Sequence, residues 1–264
     1  MIDGRRAEAS ETGEAWPRPL PVLLAPAPDE ALSSWVARHA AFFGVGRAGL
    51  LRHCLPGVPS LHLLDRALTP EQESRLAHLF RLGRPALRRM THAGLGPETT
   101  GLLVAHDIDH RCEPCARALT GAGFPEAVLR VWFHTWRITC SRCGARVSPS
   151  WRAAAGLGGN SKPPDLFPHL WAKALEGERL LDAVVPGFDA ALERHGIEIP
   201  RTTRISVPLP LRTALLAGFA LATEDLATAI RAMWATTSGV HRAHFRYVLT
   251  DMPGGQRFRP LIAA

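Results

Sequence analysis

HRCEPCARALTGAGFPEAVLRVWFHTWRITCSRCG, residues 110–144, carries four of the chain's five cysteines as two C-x2-C pairs, Cys112 with Cys115 and Cys140 with Cys143. A C-x2-C turn lets two thiolates reach one metal, with backbone amides between them that hydrogen-bond to sulfur. Twenty-four residues, 116–139, separate the two pairs, a little more than the usual spacing of about 15–20 for a four-cysteine zinc site. Pro114 lies inside the first pair and Gly144 just after the second, as turn-forming residues should. Structural zinc is therefore the leading reading. A redox dithiol needs only one C-x2-C, at a strand-to-helix junction. An iron-sulfur cluster also accepts four thiolates and stays a competitor, and four uncoordinated core cysteines at this spacing are a poor fit. Four sulfurs fill a tetrahedral shell, so no open position is left for hydrolytic chemistry. His110 and His134 are alternative ligands close by. Cys54 stands alone on an apolar helix face and reads as core.

Size and composition set the frame. The chain has 264 residues, 46% hydrophobic and 21% charged, enough to bury a core in one large or several small domains. The first residues are polar, with no apolar leader, and no apolar run approaches a membrane span. The expectation is a soluble cytoplasmic protein without membrane contact, where thiols stay reduced and paired cysteines point to metal. The net charge is +7 and the pI about 9.9. Nearly all the basic side chains are arginine, with lysine only at 162 and 173. Arginine suits phosphate and base contacts, so nucleic acid or an acidic partner is plausible; a GC-rich genome gives the same bias. No phosphate-binding loop, G-x-S-x-G elbow or H-E-x-x-H helix is present. AHDIDH, 105–110, could hold a second metal but reads better as a loop beside the zinc knuckle. Trp132 and Trp136 could stack bases but fit better as core of a small zinc module.

The whole reads as a mainly α chain, with helix-turn-helix-like domains flanking a small four-cysteine zinc-finger or zinc-ribbon module. Residues 1–16 read as a flexible tail and 17–95 as the N-terminal helical domain. Residues 96–155 form the zinc-binding module, and 165–252 a C-terminal helical domain that could hold a second helix-turn-helix. PRPLPVLLAPAP, 17–28, reads as extended. Asp29 is the expected N-cap of a first helix in which Leu32, Trp35, Val36, Phe42 and Phe43 recur at helical spacing, and Gly44 is its left-handed stop. A second helix, about 47–55, turns Leu50, Leu51, Cys54 and Leu55 inward. The pair has the shape of a helix-turn-helix, with a plain helical hairpin as the alternative. Thr69, Pro70 and Gln72 open a third helix with a capping box, and Gly83 with Pro85 closes it. Residues 85–109 are mixed. VLRVWFHTWRIT, 128–139, could be a strand or a short helix. GLGGNSKPPD, 156–165, is a loop, and a helix begins at Asp165. FDAALERHG ends at Gly196, and further helices follow to about 249. Predicted exposure makes Arg38, Arg47 and Arg52, and Arg242 and Arg246 near the C-terminus, candidate contacts for a partner or nucleic acid.

Three stretches together resemble the TniQ family of transposition proteins. In residues 27–54, Pro28, Glu30, Leu32, Ser34, Trp35 and Arg38 fit the family's opening "P-x-E-S-L-x-S-W-L-x-R" helix. LTPEQESRLAHLFRLGRPALRRMT, 68–91, is similar to its next helix pair. RCEPC through C-x2-C is similar to its zinc finger, with Cys143 where the family has histidine and Gly46 where it caps a helix with Ser or Thr. The resemblance covers about 20–150. It implies a non-catalytic target-selection adapter in the bacterial cytoplasm. Such a protein links a DNA-bound module or an RNA-guided CRISPR effector to an AAA+ transposition regulator, with a homodimer as an option. The alternative is a stand-alone zinc-containing helix-turn-helix DNA-binding regulator. A thiol oxidoreductase or zinc hydrolase would need one exposed low-pKa pair or an open coordination position.

Overall fold

A computed structural model describes residues 16–105, 110–149, 168–194 and 196, with 212, 213, 216, 217 and 220. The tail 1–15, residues 106–109 of AHDIDH, the 156–165 loop and most of the segment after 196, including Arg242 and Arg246, lie outside the described residues. The chain is mainly helical and divides into two compact units, 1–93 and 94–264.

In the first unit, α1 (Leu32–Phe42), α2 (Arg47–Cys54), α3 (Pro70–Leu79) and α4 (Arg84–Arg89) enclose one core, with a 3-10 turn at Leu61–Asp65 between α2 and α3. Trp35, Leu32, Val36, Leu51, Leu64, Leu76, Leu79, Phe80 and Leu87 are buried together. The Trp35 and Phe80 rings sit 4.7 Å apart, and His39 meets Phe80 edge-on at 4.9 Å. Gly44 stops α1 in the left-handed region at φ 65°. Its N–H bonds the Ala41 carbonyl and that of Val45 the Ala40 carbonyl, the double closure of a Schellman end. The Thr69–Gln72 capping box is present, Thr69 Oγ1 accepting from the Gln72 amide and Gln72 Oε1 from the Thr69 amide.

Three local expectations are overturned here. Asp29 does not cap α1; it lies in a turn at φ 61°, and the N-cap is Ala31, which offers no side-chain acceptor. The cap comes from a distance instead. Asp65 Oδ1 accepts the Ser33 amide at 2.8 Å, and the Met90 carbonyl accepts the Leu32 amide at 3.0 Å. Gly83 does not end α3 but is the N-cap of α4; Arg81 takes the left-handed position at φ 46°. Phe42, expected inside, is 54% exposed.

The proline-rich lead is fastened along α1 by the polar side chains of that helix and of the turn before it. Glu30, fully buried, accepts from the Ala27 amide at 2.8 Å and from Ser34 Oγ at 2.8 Å, and pairs with Arg38 at 2.6 Å. Arg38 also reaches the Ala25 carbonyl. Trp35 Nε1 donates to the Leu24 carbonyl at 2.9 Å. His39 Nε2 accepts the Leu24 amide at 3.0 Å, so its Nδ1 must carry the proton it gives to the Trp35 carbonyl at 2.9 Å. That tautomer is neutral, and burial lowers the ring's pKa in agreement.

In the second unit, α5 (Pro97–Leu103) leads to β1 (His110–Arg111) and α6 (Glu113–Gly121). A 3-10 turn at Arg130–Phe133 stands where a strand or short helix was expected. β2 (Ser148–Pro149) pairs antiparallel with β1, His110 opposite Pro149. After a 3-10 turn at Pro168–Leu170 come α7 (Trp171–Val184) and α8 (Phe188–Arg194); the helix expected from Asp165 thus begins, among the described residues, at Trp171. The described part of the mixed stretch, 85–105, holds most of α4 and all of α5. Two glycines permit close contacts. A side chain at Gly96 would strike the Asp189 carboxylate, and one at Gly177 the Leu216 backbone. Asp189 uses that room to cap α5, accepting the Glu98 and Thr99 amides at 3.0 and 2.7 Å and the Thr99 hydroxyl.

Glu30→Ala should cost about 3 kcal/mol, because it removes the buried carboxylate that accepts from the Ala27 amide and the Ser34 hydroxyl and pairs with Arg38; the shift in urea midpoint measures it. Burial pushes the Asp65 carboxyl up to about 7, against the bonds from Ser33 that lower it. The folded chain therefore holds this proton more tightly than the unfolded chain. The group's contribution is full at low pH, is lost as pH rises to about 7, and is constant above. Asp65→Asn removes that loss. Its stability relative to the parent should rise by about 1–3 kcal/mol between about pH 5 and about pH 8.

Candidate metal centre

Two short structures carry the four cysteines. Cys112 is the N-cap of α6, Pro114 occupies its second position, and Cys115 lies in its first turn. The start of a helix presents free amides and the positive end of its dipole, both of which favour thiolate. The Cys115 amide donates to the Cys112 sulfur. The second pair sits in a tight hairpin. The Cys140 amide bonds the Ala145 carbonyl at 2.8 Å, the Gly144 amide bonds the Cys140 carbonyl at 2.8 Å, and Val147 bonds Ile138 at 3.0 Å. Gly144 supplies the positive φ, 71°, that closes it. The Ala145 amide donates to the Cys143 sulfur.

The four sulfurs lie within 4.8 Å of one another. Cys112 and Cys143 are 3.3 Å apart, Cys115 and Cys143 3.6 Å, and Cys115 and Cys140 3.7 Å. A disulfide would bring a pair to about 2.05 Å, and the cysteines are free. A tetrahedron with metal–sulfur arms of about 2.3 Å has edges of about 3.8 Å. The cluster therefore fits one thiolate-bound ion. Burial pushes the thiols of Cys112 and Cys115 up, the latter to about 11, while the Ala145 amide draws that of Cys143 down. A cation must displace those protons, so acid favours its release. Cys112, Cys115 and Cys140 are buried and Cys143 is exposed.

The hairpin is gripped by α7. Glu178 Oε1 accepts the Ile138 and Thr139 amides at 3.0 and 3.1 Å, and its Oε2 accepts the Thr139 hydroxyl at 2.6 Å. One turn on, Asp182 accepts from Trp136 Nε1 at 2.7 Å and pairs with Arg137 at 2.8 Å. Arg146 stacks over Trp171 at 4.3 Å. Neither carboxylate was singled out in the sequence. The signal was there in Glu178, an acid on the same stripe as the buried Ala174 and Leu181, where a charge persists only with partners.

The other candidate residues separate by environment. His110 is buried, its Nδ1 3.1 Å from Arg212, and His134 stacks on Trp136 at 4.3 Å; neither belongs to the sulfur cluster. Trp132 and Trp136 are buried as core. Cys54 is buried and its thiol is pushed up to about 12, an inert core group. Arg47 and Arg52 are exposed on α2, whereas Arg38 turns inward to Glu30, its side chain 13% exposed.

Cys140→Ser should weaken cobalt binding and reduce the thiolate-to-metal charge-transfer band, and lower the melting temperature of the second unit; Cys54→Ser should leave the band unchanged.

The TniQ family model matches residues 21–153, just over half of the chain. No curated protein and no solved structure matches it.

Proposed function

The chain belongs to the TniQ family, and on that premise we propose that it is a non-catalytic adapter for target selection in transposition. It would link a target-recognition module, DNA-bound or an RNA-guided effector, to the AAA+ regulator that recruits the transposase. The observation that carries this reading is the span of the family match, which takes in both the Glu30–Arg38 clamp and the four cysteines. Cys112, Cys115, Cys140 and Cys143 would hold one zinc ion. Zinc has no redox chemistry of its own and, with four thiolates, no open position, so its contribution is to fold the segment. Among the described residues no helix is long and apolar enough to cross a membrane. The basic excess, +7 overall, suits work beside nucleic acid.

Purified chain mixed with its cognate AAA+ regulator and guide complex should co-elute from a sizing column as one assembly. Failure to associate with any cognate component, together with duplex binding by the chain alone that weakens steeply with salt, would instead favour the stand-alone DNA-binding regulator.

A further inference from the structure

The four clustered sulfurs are not equally protected. Cys112, Cys115 and Cys140 are buried, whereas Cys143 is exposed. It sits in the turn of the hairpin, where Ser141, Arg142 and Gly144 around it are exposed as well. A cysteine that binds metal does so as thiolate, the form that also attacks oxidants. Access then decides which sulfur of a cluster a dissolved oxidant meets first.

The exposed sulfur also has resolving partners at hand. Cys112 lies 3.3 Å from it and Cys115 3.6 Å, both on the other arm of the site at the start of α6. Of the two, Cys112 is the nearer, and its sulfur must close from 3.3 Å to about 2.05 Å to form a disulfide. An accessible thiolate beside a resolving cysteine is the arrangement found in thiols that oxidise reversibly. Cys54 has neither property. It is buried in the first unit and does not belong to the cluster.

We propose that Cys143 is an oxidation site through which a hydroperoxide converts Cys143 and Cys112 from metal ligands into a disulfide. The proposal rests on the reading of the four cysteines as a zinc site. The Cys143 thiolate attacks one peroxide oxygen, the oxygen–oxygen bond breaks, hydroxide leaves and the sulfur becomes a sulfenic acid. The Cys112 thiolate then attacks that sulfur. A sulfur–sulfur bond forms, the sulfur–oxygen bond breaks and a second hydroxide leaves. The two sulfurs together give up two electrons, and the peroxide takes them. Only Cys115 and Cys140 then remain as thiolates. A tetrahedral site that has lost two of its four ligands releases its ion. The disulfide joins the same two arms, the start of α6 and the hairpin, that the ion had joined.

The test uses the full chain purified under reductant, its zinc content measured first. Hydrogen peroxide is then added while a chromophoric chelator follows zinc release. The parent should release about one zinc per chain. Cys143→His keeps four ligands but replaces the exposed thiolate with an imidazole, and should release zinc about tenfold or more slowly. Trypsin, which cuts after arginine, places Cys143, Cys140 and the Cys112–Cys115 pair on three separate peptides, 143–146, 138–142 and 112–117. The unreduced digest of the oxidised parent should contain 143–146 linked to 112–117, with fragmentation locating the bond at Cys112. A thiol reductant followed by zinc should restore the metal content. The parent's own peptide map decides the matter even where the variant fails to hold metal. Equal release rates from a metal-loaded variant, a disulfide that leaves out Cys143 or Cys112, or sulfinic acid at Cys143 without a disulfide overturns the proposal. A parent whose zinc peroxide does not release does the same, and all four results leave the zinc site standing. A parent purified without stoichiometric zinc overturns both.

Discussion

Four sulfur atoms within one coordination sphere are the constraint on which the second unit depends. Three of the four cysteines are buried, and thiols make weak hydrogen bonds, so a buried quartet gains little from its own contacts. A cation held there would crosslink the start of α6 to a hairpin some 25 residues later. The surrounding structure serves that junction. The α6 amides and the Gly144 turn aim sulfur inward. Glu178 and Asp182 then hold the segment entering the hairpin, so α7 and the cysteine cluster fix each other.

The first unit solves a different problem with the same means. Its proline-rich lead makes no ladder of its own, yet its backbone amides and carbonyls need partners. The Glu30, Trp35, Arg38 and His39 side chains supply them. The residues through which the chain resembles its family are therefore largely a fastening device. Arg38 in particular is committed to Glu30 and Ala25.

Much of this was legible in the sequence where local chemistry decides the outcome. The cysteine pairs, the Thr69 capping box, the Gly44 stop and the inward face of α2 follow from spacing and turn propensity, and each is where it was expected. The misses have two causes. Asp29 is a good cap by type, but Asp65, more than 30 residues away, does the capping. Gly83 is the natural helix stop, yet Arg81 takes the left-handed position and Gly83 opens the next helix. Glu178 looked like one acid among several on its helix. For the α1 cap and for Glu178 the deciding contact is long-range, which a pattern of neighbours along the chain cannot reveal; α3 instead closes locally around Arg81, its amide bonding the His78 carbonyl and that of Leu82 the Ala77 carbonyl.

Elemental analysis of freshly purified chain tests the central claim most directly. The account predicts one zinc per chain, removed by a strong chelator together with the tertiary signal of the second unit. Metal-free protein whose second unit keeps its cooperative unfolding would contradict it.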